Sequence, residues 1–238
     1  MGRLARLLAG LAAFTIAAPH AAAQDSPPAT AAVLYATQPG LKTLDGDDRG
    51  GNPFASALIE ALQAPAGPLA EQLMRGTEDH SKGSQSADIG RLPAGASLSL
   101  QPGEVARALV IAFADYGSDD GLPSLPGAAF DAARVAAALE AKGYATRMVI
   151  ARTREQYETE LAAFAQGSAV ADRALIYTTG HGVQGSEGIV LIPPEMDGPD
   201  LASGAPGAIR LSQVKATLAA RQSNWLFYAG CRDNPFDW

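Results

Sequence analysis

The sequence predicts an α/β protein: a doubly wound, mostly parallel sheet of about six strands with helices on both faces. Continuous apolar runs of strand length occur at 107–114 (RALVIAFA), 171–178 (ADRALIYT) and 224–229 (NWLFYA). Runs of this kind suit strands buried on both faces. Segments of helical period separate them, which implies parallel strands joined by right-handed crossovers. No tandem repeat interrupts the pattern, and a mature chain of about 215 residues is enough for one domain with a sizeable core.

The elements follow in order. Residues 31–37 form a strand, 38–51 a loop rich in Gly and Asp, and 53–62 a helix with Pro53 in its first turn and Phe54, Leu58 and Leu62 aligned. Residues 68–75 make a second short helix. The chain then turns small and polar, with Gly83, Gly90, Pro93, Gly95, Pro102 and Gly103, and reads as a connecting loop over 76–106. After the strand at 107–114, a helix over 127–142 carries Val135 and Leu139 on one face and stops at Gly143. A strand at 145–150 and a helix at 153–166, with Tyr157, Leu161 and Phe164 at helical spacing, lead to the strand ending near His181. A short extended piece at 187–192 and a helix at 211–221, with Leu211, Val214 and Leu218 facing inward, precede the strand that runs into Cys231.

At the N-terminus, Arg3 and Arg6 precede an apolar stretch at 7–18 and then Ala21, Ala22 and Ala23, the layout of a secretory signal peptide cleaved after Ala23. The stretch is shorter than the roughly 20 residues that span a bilayer, so residues 24–238 are expected to be soluble and periplasmic or secreted. Loss of residues 1–23, which hold two arginines and no acid, takes the formal charge from −7 to −9. That disfavours nucleic acid as a partner. Cys231 is the only cysteine, so no intramolecular disulfide exists. A lone cysteine is often inert and buried, yet an unpaired thiol in an oxidising compartment points toward chemistry.

His181 in TGHGVQ and Cys231 in AGCRDNPF each follow an apolar strand, and a parallel sheet places its ligand site beyond the carboxyl ends of its strands. A cysteine nucleophile needs a nearby imidazole and N–H donors for the oxyanion formed on attack. His181 can hold and return the proton, and Gly182 N–H and Cys231 N–H are the oxyanion donors. Gly180, Gly182 and Gly230 leave the backbone open for close approach of substrate. The run from Gly180 to Gly185 also matches GxGxxG, but a dinucleotide site needs a helix opening from those glycines. Here Ser186, Glu187 and Gly188 lead into Ile189 and then Pro193-Pro194, which is no helix.

Residues 107–236 resemble the large-subunit part of bacterial caspase-like and metacaspase-like peptidases, the C14 family of clan CD. The matching pieces are Asp115-Tyr116, LPGAA at 125–129 before Asp131-Ala132, GHGVQ at 180–184, Glu187-Gly188 before Leu191-Ile192-Pro193, and CRDNPF at 231–236. The resemblance implies a cysteine endopeptidase acting on polypeptide without a cofactor, with His181 as base and Cys231 as nucleophile. Their fifty-residue separation fits a caspase-type pair. Members of that family continue past the cysteine into a small-subunit part. Here its features appear upstream, as YATQPG at 35–40, DGDDR at 45–49 and Asn52-Pro53-Phe54. This implies a circular permutation, with 31–75 as the small-subunit-like part and 107–238 as the large, and it requires strand 31–37 to lie beside strand 224–229. A remnant of a lost upstream copy is the rival explanation.

The chain departs from the family at two places, Ala229 and Phe130, the latter standing where Asn usually precedes the pocket acid that maps onto Asp131. Asp usually stands two residues before the cysteine, where in metacaspases it helps to hold a basic P1 side chain, and this chain has Ala229. The other acid of that pocket maps onto Asp131, a candidate substrate contact, although Asp131 also suits a helix N-terminus favoured by the dipole. Asp45, Asp47 and Asp48 fit no EF-hand spacing and read as a solvated loop, so no metal is expected. With Ala229, a pseudopeptidase that binds or regulates without turnover stands as the alternative to an active enzyme.

Overall fold

The computed structural model describes residues 29–46, 50–65, 67–117, 122–196, 200 and 203–235. The leader-like segment, Asp47 and Asp48 lie outside the described residues. The central sheet has six strands: β1 (Ala31–Tyr35), β2 (Asp88–Ile89), β3 (Ala106–Phe113), β4 (Ala145–Ala151), β5 (Arg173–Thr179) and β9 (Ser223–Tyr228). Their order is β2-β1-β9-β5-β3-β4, and every neighbour pair is parallel except β2 with β1. The mostly parallel sheet expected from the apolar runs is therefore present. A second, antiparallel sheet of three strands joins β6 (Gly182–Gly185), β7 (Gly188–Leu191) and β8 (Ile209–Arg210) beside the site.

Helices cover both faces. α1 (Pro53–Gln63), α2 (Leu69–Ser81) and α3 (Pro126–Lys142) enclose one core with Leu34, Val110, Leu175, Tyr177, Trp225 and Phe227. α4 (Arg154–Ser168) and α5 (Leu211–Ala216) close the other over Leu109, Ile111, Ile176, Leu226 and Tyr228. Local chemistry sets the ends. Asn52 Oδ1 accepts from Phe54 N–H at 2.8 Å while Pro53 occupies the first turn of α1. Thr153 caps α4 by accepting from Gln156 N–H, and Gly143 ends α3 in the left-handed region at φ 102°.

Three differences from the sequence reading have physical causes. α2 runs to Ser81 rather than stopping near Arg75, because Leu69, Leu73, Thr77 and Ser81 form a buried stripe at four-residue spacing. Gly76 lies inside this helix, and a Cβ there would come within 2.8 Å of the Ala57 Cβ, so the glycine lets α1 pack closely. Residues 76–106 are consequently not one loop: they hold the end of α2, strand β2 and the buried side chain of Gln85. The helix begun at Leu211 ends at Ala216 instead of 221. The N–H groups of Ala219 and Ala220 are taken by Ser168 Oγ and Asn224 Oδ1, which diverts the chain into β9. The strand β1 pairs in parallel with β9, from Ala31 opposite Asn224 to Tyr35 opposite Tyr228. No described helix is long and apolar enough to cross a membrane.

Candidate active site

β5 and β9 are adjacent and in register, Thr178 opposite Tyr228, so the residues that follow them emerge side by side at the carboxyl edge of the sheet. His181 and Cys231 both line a cleft of about 250 Å³ there, with Lys42, Leu122, Gly182, Val183, Ile192, Asp233 and Pro235. Cys231 is a free thiol and partly exposed.

The imidazole is held from two sides. Its Nε2 lies 2.7 Å from the Pro123 carbonyl oxygen. A carbonyl only accepts, so Nε2 carries the hydrogen and the neutral ring keeps its lone pair on Nδ1. The Tyr116 ring meets the imidazole edge to face, with centroids 4.6 Å apart. The Tyr116 hydroxyl also accepts from His181 N–H at 3.0 Å and donates to Ile192 O at 2.9 Å. Burial pushes the His181 imidazole below its usual range, opposed in part by the Pro123 bond and the Asp45 charge. Desolvation raises the Tyr116 phenol far above its ordinary value, so it remains a neutral donor.

The β6–β7 ladder sets the direction of the Gly182 N–H. Ile192 N–H donates to His181 O at 2.9 Å, making those two residues a hydrogen-bonded pair. In an antiparallel ladder the next pair, Gly182 with Leu191, is then a non-hydrogen-bonded one, so Gly182 N–H points away from β7. Cys231 N–H makes no backbone hydrogen bond among the described residues.

The glycines also have a packing reason. A Cβ on Gly182 would overlap the Tyr228 hydroxyl, and one on Gly230 would lie 2.7 Å from the same ring and 2.9 Å from Gly180 O. Gly180 itself sits at φ 148°. They are small so that the two strand ends can close around Tyr228, whose hydroxyl donates to Cys231 O at 2.9 Å. No helix opens from the glycine-rich turn: β6 and β7 form a hairpin there.

Asp131 is not among the residues lining that cleft. It is 1% exposed, it accepts from Asn52 N–H at 2.7 Å, and it pairs with Arg134 at 3.3 Å. It lies beyond the first turn of α3, which contains no acid. The carboxylate at that helix start is Asp45, which accepts from Gly127 N–H. Burial raises the Asp45 carboxyl, while that bond and His181 pull it down. Ala229 is buried in the core cluster formed with α1, α2 and α3.

Arg232, 5% exposed, fastens the two ends of the chain together. It donates to Thr37 O at 2.9 Å, to Asp88 Oδ2 at 2.6 Å and to Gln184 Oε1 at 2.8 Å, with its guanidinium 4.2 Å over the Tyr35 ring. Among the described residues no group of three His, Cys, Asp or Glu is placed to hold a metal ion.

A family model of the caspase domain matches residues 105–237. The chain belongs to the caspase-domain peptidase family. No curated protein sequence matches it at a significant level. Membership in the caspase family makes the fold that of a cysteine peptidase, and the matched segment includes His181 and Cys231 but not β1, α1, α2 or β2. Of the residues singled out in the sequence, His181, Gly182 and Cys231 are brought together in this cleft, and Asp131 is not among its lining. No role for Tyr116 was legible in the sequence, although Asp115-Tyr116 stood among the matching pieces, and the Pro123 carbonyl carries no side-chain signal at all.

Proposed function

We propose that this caspase-family protein is a cysteine endopeptidase using a His181–Cys231 dyad. The observation that carries the reading is the shared cleft at the ends of β5 and β9, with His181 Nε2 committed to Pro123 O and Nδ1 left for the working proton. Cys231 Sγ attacks the scissile carbonyl carbon after its proton passes to His181 Nδ1. The negative charge on the carbonyl oxygen is met by Gly182 N–H and Cys231 N–H. Collapse breaks the C–N bond as His181 returns the proton to the departing amine, and water then hydrolyses the thioester by the same base. Exported localisation follows from the leader-like N-terminus and belongs to this proposal.

Asp131 in this reading shapes the start of α1 through Asn52, and a basic P1 side chain would compete with Arg134 for its carboxylate. The pairing of β1 with β9 supports the permuted order, with the small-subunit-like part supplied from upstream.

Incubating the chain with a mixed peptide library, alongside Cys231→Ala, tests the enzyme. Loss of at least about a thousandfold in cleavage is expected for the variant, the scale at which nucleophile removal acts. Equal cleavage by both proteins would leave the fold a binding module, and the P1 residues of the products report whether basic side chains are selected.

A further inference from the structure

The sulfur of Cys231 is touched from the far end of the chain. Thr43 N–H donates to Sγ at 3.4 Å, and Thr43 Oγ1 lies 3.5 Å from it, across 188 residues of sequence. Thr43 is outside the segment matched by the caspase model. Its loop is fastened on both sides. Gly40 N–H donates to Arg232 O at 3.1 Å, and Arg232 N–H donates to Leu41 O at 2.9 Å. Beyond Thr43, Leu44 N–H donates to Gln85 Oε1 at 2.8 Å, and Asn52 Nδ2 donates to Leu44 O at 2.7 Å. Gln85 is buried and donates in turn to Ala36 O at 2.9 Å. With its neighbours tied down, the threonine is held against the thiol by the fold rather than by a passing rotamer.

The two forms of the cysteine use these groups differently. Between a thiol and a hydroxyl, either atom can donate. A thiolate only accepts, so the Thr43 N–H and O–H both turn to it, and bonds to a charged acceptor are the stronger kind. The other charged or titratable groups around the cleft include Lys42, ion-paired with Asp233 at 3.8 Å, His181 with Asp45 and Tyr116 beside it, and Tyr228, whose hydroxyl donates to Cys231 O. None of these is recorded within hydrogen-bonding distance of the sulfur, whereas Thr43 is.

We propose that Thr43 stabilises the Cys231 thiolate as it forms on proton transfer to His181, an inference that rests on Cys231 being the nucleophile. When Cys231 is acylated its sulfur becomes a neutral, weak acceptor, so the hold relaxes after attack.

The test is the rate at which iodoacetamide alkylates Cys231 in the full chain at neutral pH, followed by mass, which needs no peptide turnover. Thr43→Val keeps the shape and the N–H but removes the hydroxyl. Losing one bond to a charged sulfur disfavours the thiolate about tenfold. The less stabilised sulfur regains about threefold in nucleophilicity, so the expected slowing is about three- to fourfold. Thr43→Ser restores the hydroxyl and is expected to restore the rate. An unchanged or faster Val variant overturns the proposal, as does equal slowing in Val and Ser variants, which would mark simple packing. If the Val variant does not fold, Thr43→Ala against Thr43→Ser makes the same comparison. Failure of the peptidase reading appears separately, as peptide cleavage that Cys231→Ala leaves intact.

Discussion

Residues 29–104 and residues 105–235 contribute unlike things to one domain. The second region carries the family signature, four of the five parallel strands and both members of the proposed dyad. The first carries neither member of that pair, yet it supplies the strand beside β9, two of the three helices over one core, and the loop against the cysteine sulfur. The proposed catalytic residues and the structure that supports them are therefore divided between two stretches of chain. Without the first region, β9 would become a sheet edge, and Trp225 and Phe227 would lose the cover of α1 and α2.

The largest expected effect breaks this comparison outright. A chain of residues 105–238 alone is expected to show no cooperative thermal unfolding and to bind a dye specific for exposed apolar surface; calorimetry and dye fluorescence check it. Cooperative unfolding with native-like alkylation of Cys231 would make the first region an accessory.

A smaller effect comes from the seam itself. Phe54 of α1 is fully buried and meets Phe227 of β9 with ring centroids 6.1 Å apart. Phe54→Ala is expected to cost about 3–5 kcal/mol in a denaturant titration, the usual cost of emptying such a site. A loss under about 1 kcal/mol would mean that the seam collapses readily and the two regions are weakly coupled.

The smallest effect lies in the His181 titration. Its imidazole is depressed in the fold, mainly by burial, so folding favours the neutral ring. That contribution to stability is fully present above the unfolded value of about 6.5 and is lost as pH falls through the lower, folded value. Nuclear magnetic resonance of the ring protons should place the His181 midpoint below about 6.5. Asp45→Asn, which removes the nearby negative charge contributed by the first region, should lower it further. A midpoint above the unfolded value would show that the Pro123 bond and Asp45 outweigh burial.

Most of the sheet was legible because its signals are local. Strands β3, β5 and β9 are near-continuous apolar runs, α3 has Pro126 in its first turn and Gly143 at its end, and α1 has Asn52 before Pro53. The end of α2 was obscured by Gly76, whose helix-breaking tendency is overridden by close packing on α1. Strand β2 has only two residues, too few for any period to show, and it exists because Leu34 and Tyr35 offer an edge for Ile89 and Asp88.

The same division runs through the site. The sequence by itself determined the fold class, the histidine and cysteine at two strand ends, and the glycines around them, because residue type and short-range pattern encode these. Tertiary structure alone decided three things. His181 is oriented by a carbonyl 58 residues away, Asp131 is committed to an amide 79 residues away, and Cys231 is touched by a threonine 188 residues away. A main-chain carbonyl or amide has no letter of its own in a sequence, and a threonine acquires its meaning here only when folding brings the opposite end of the chain against a sulfur atom.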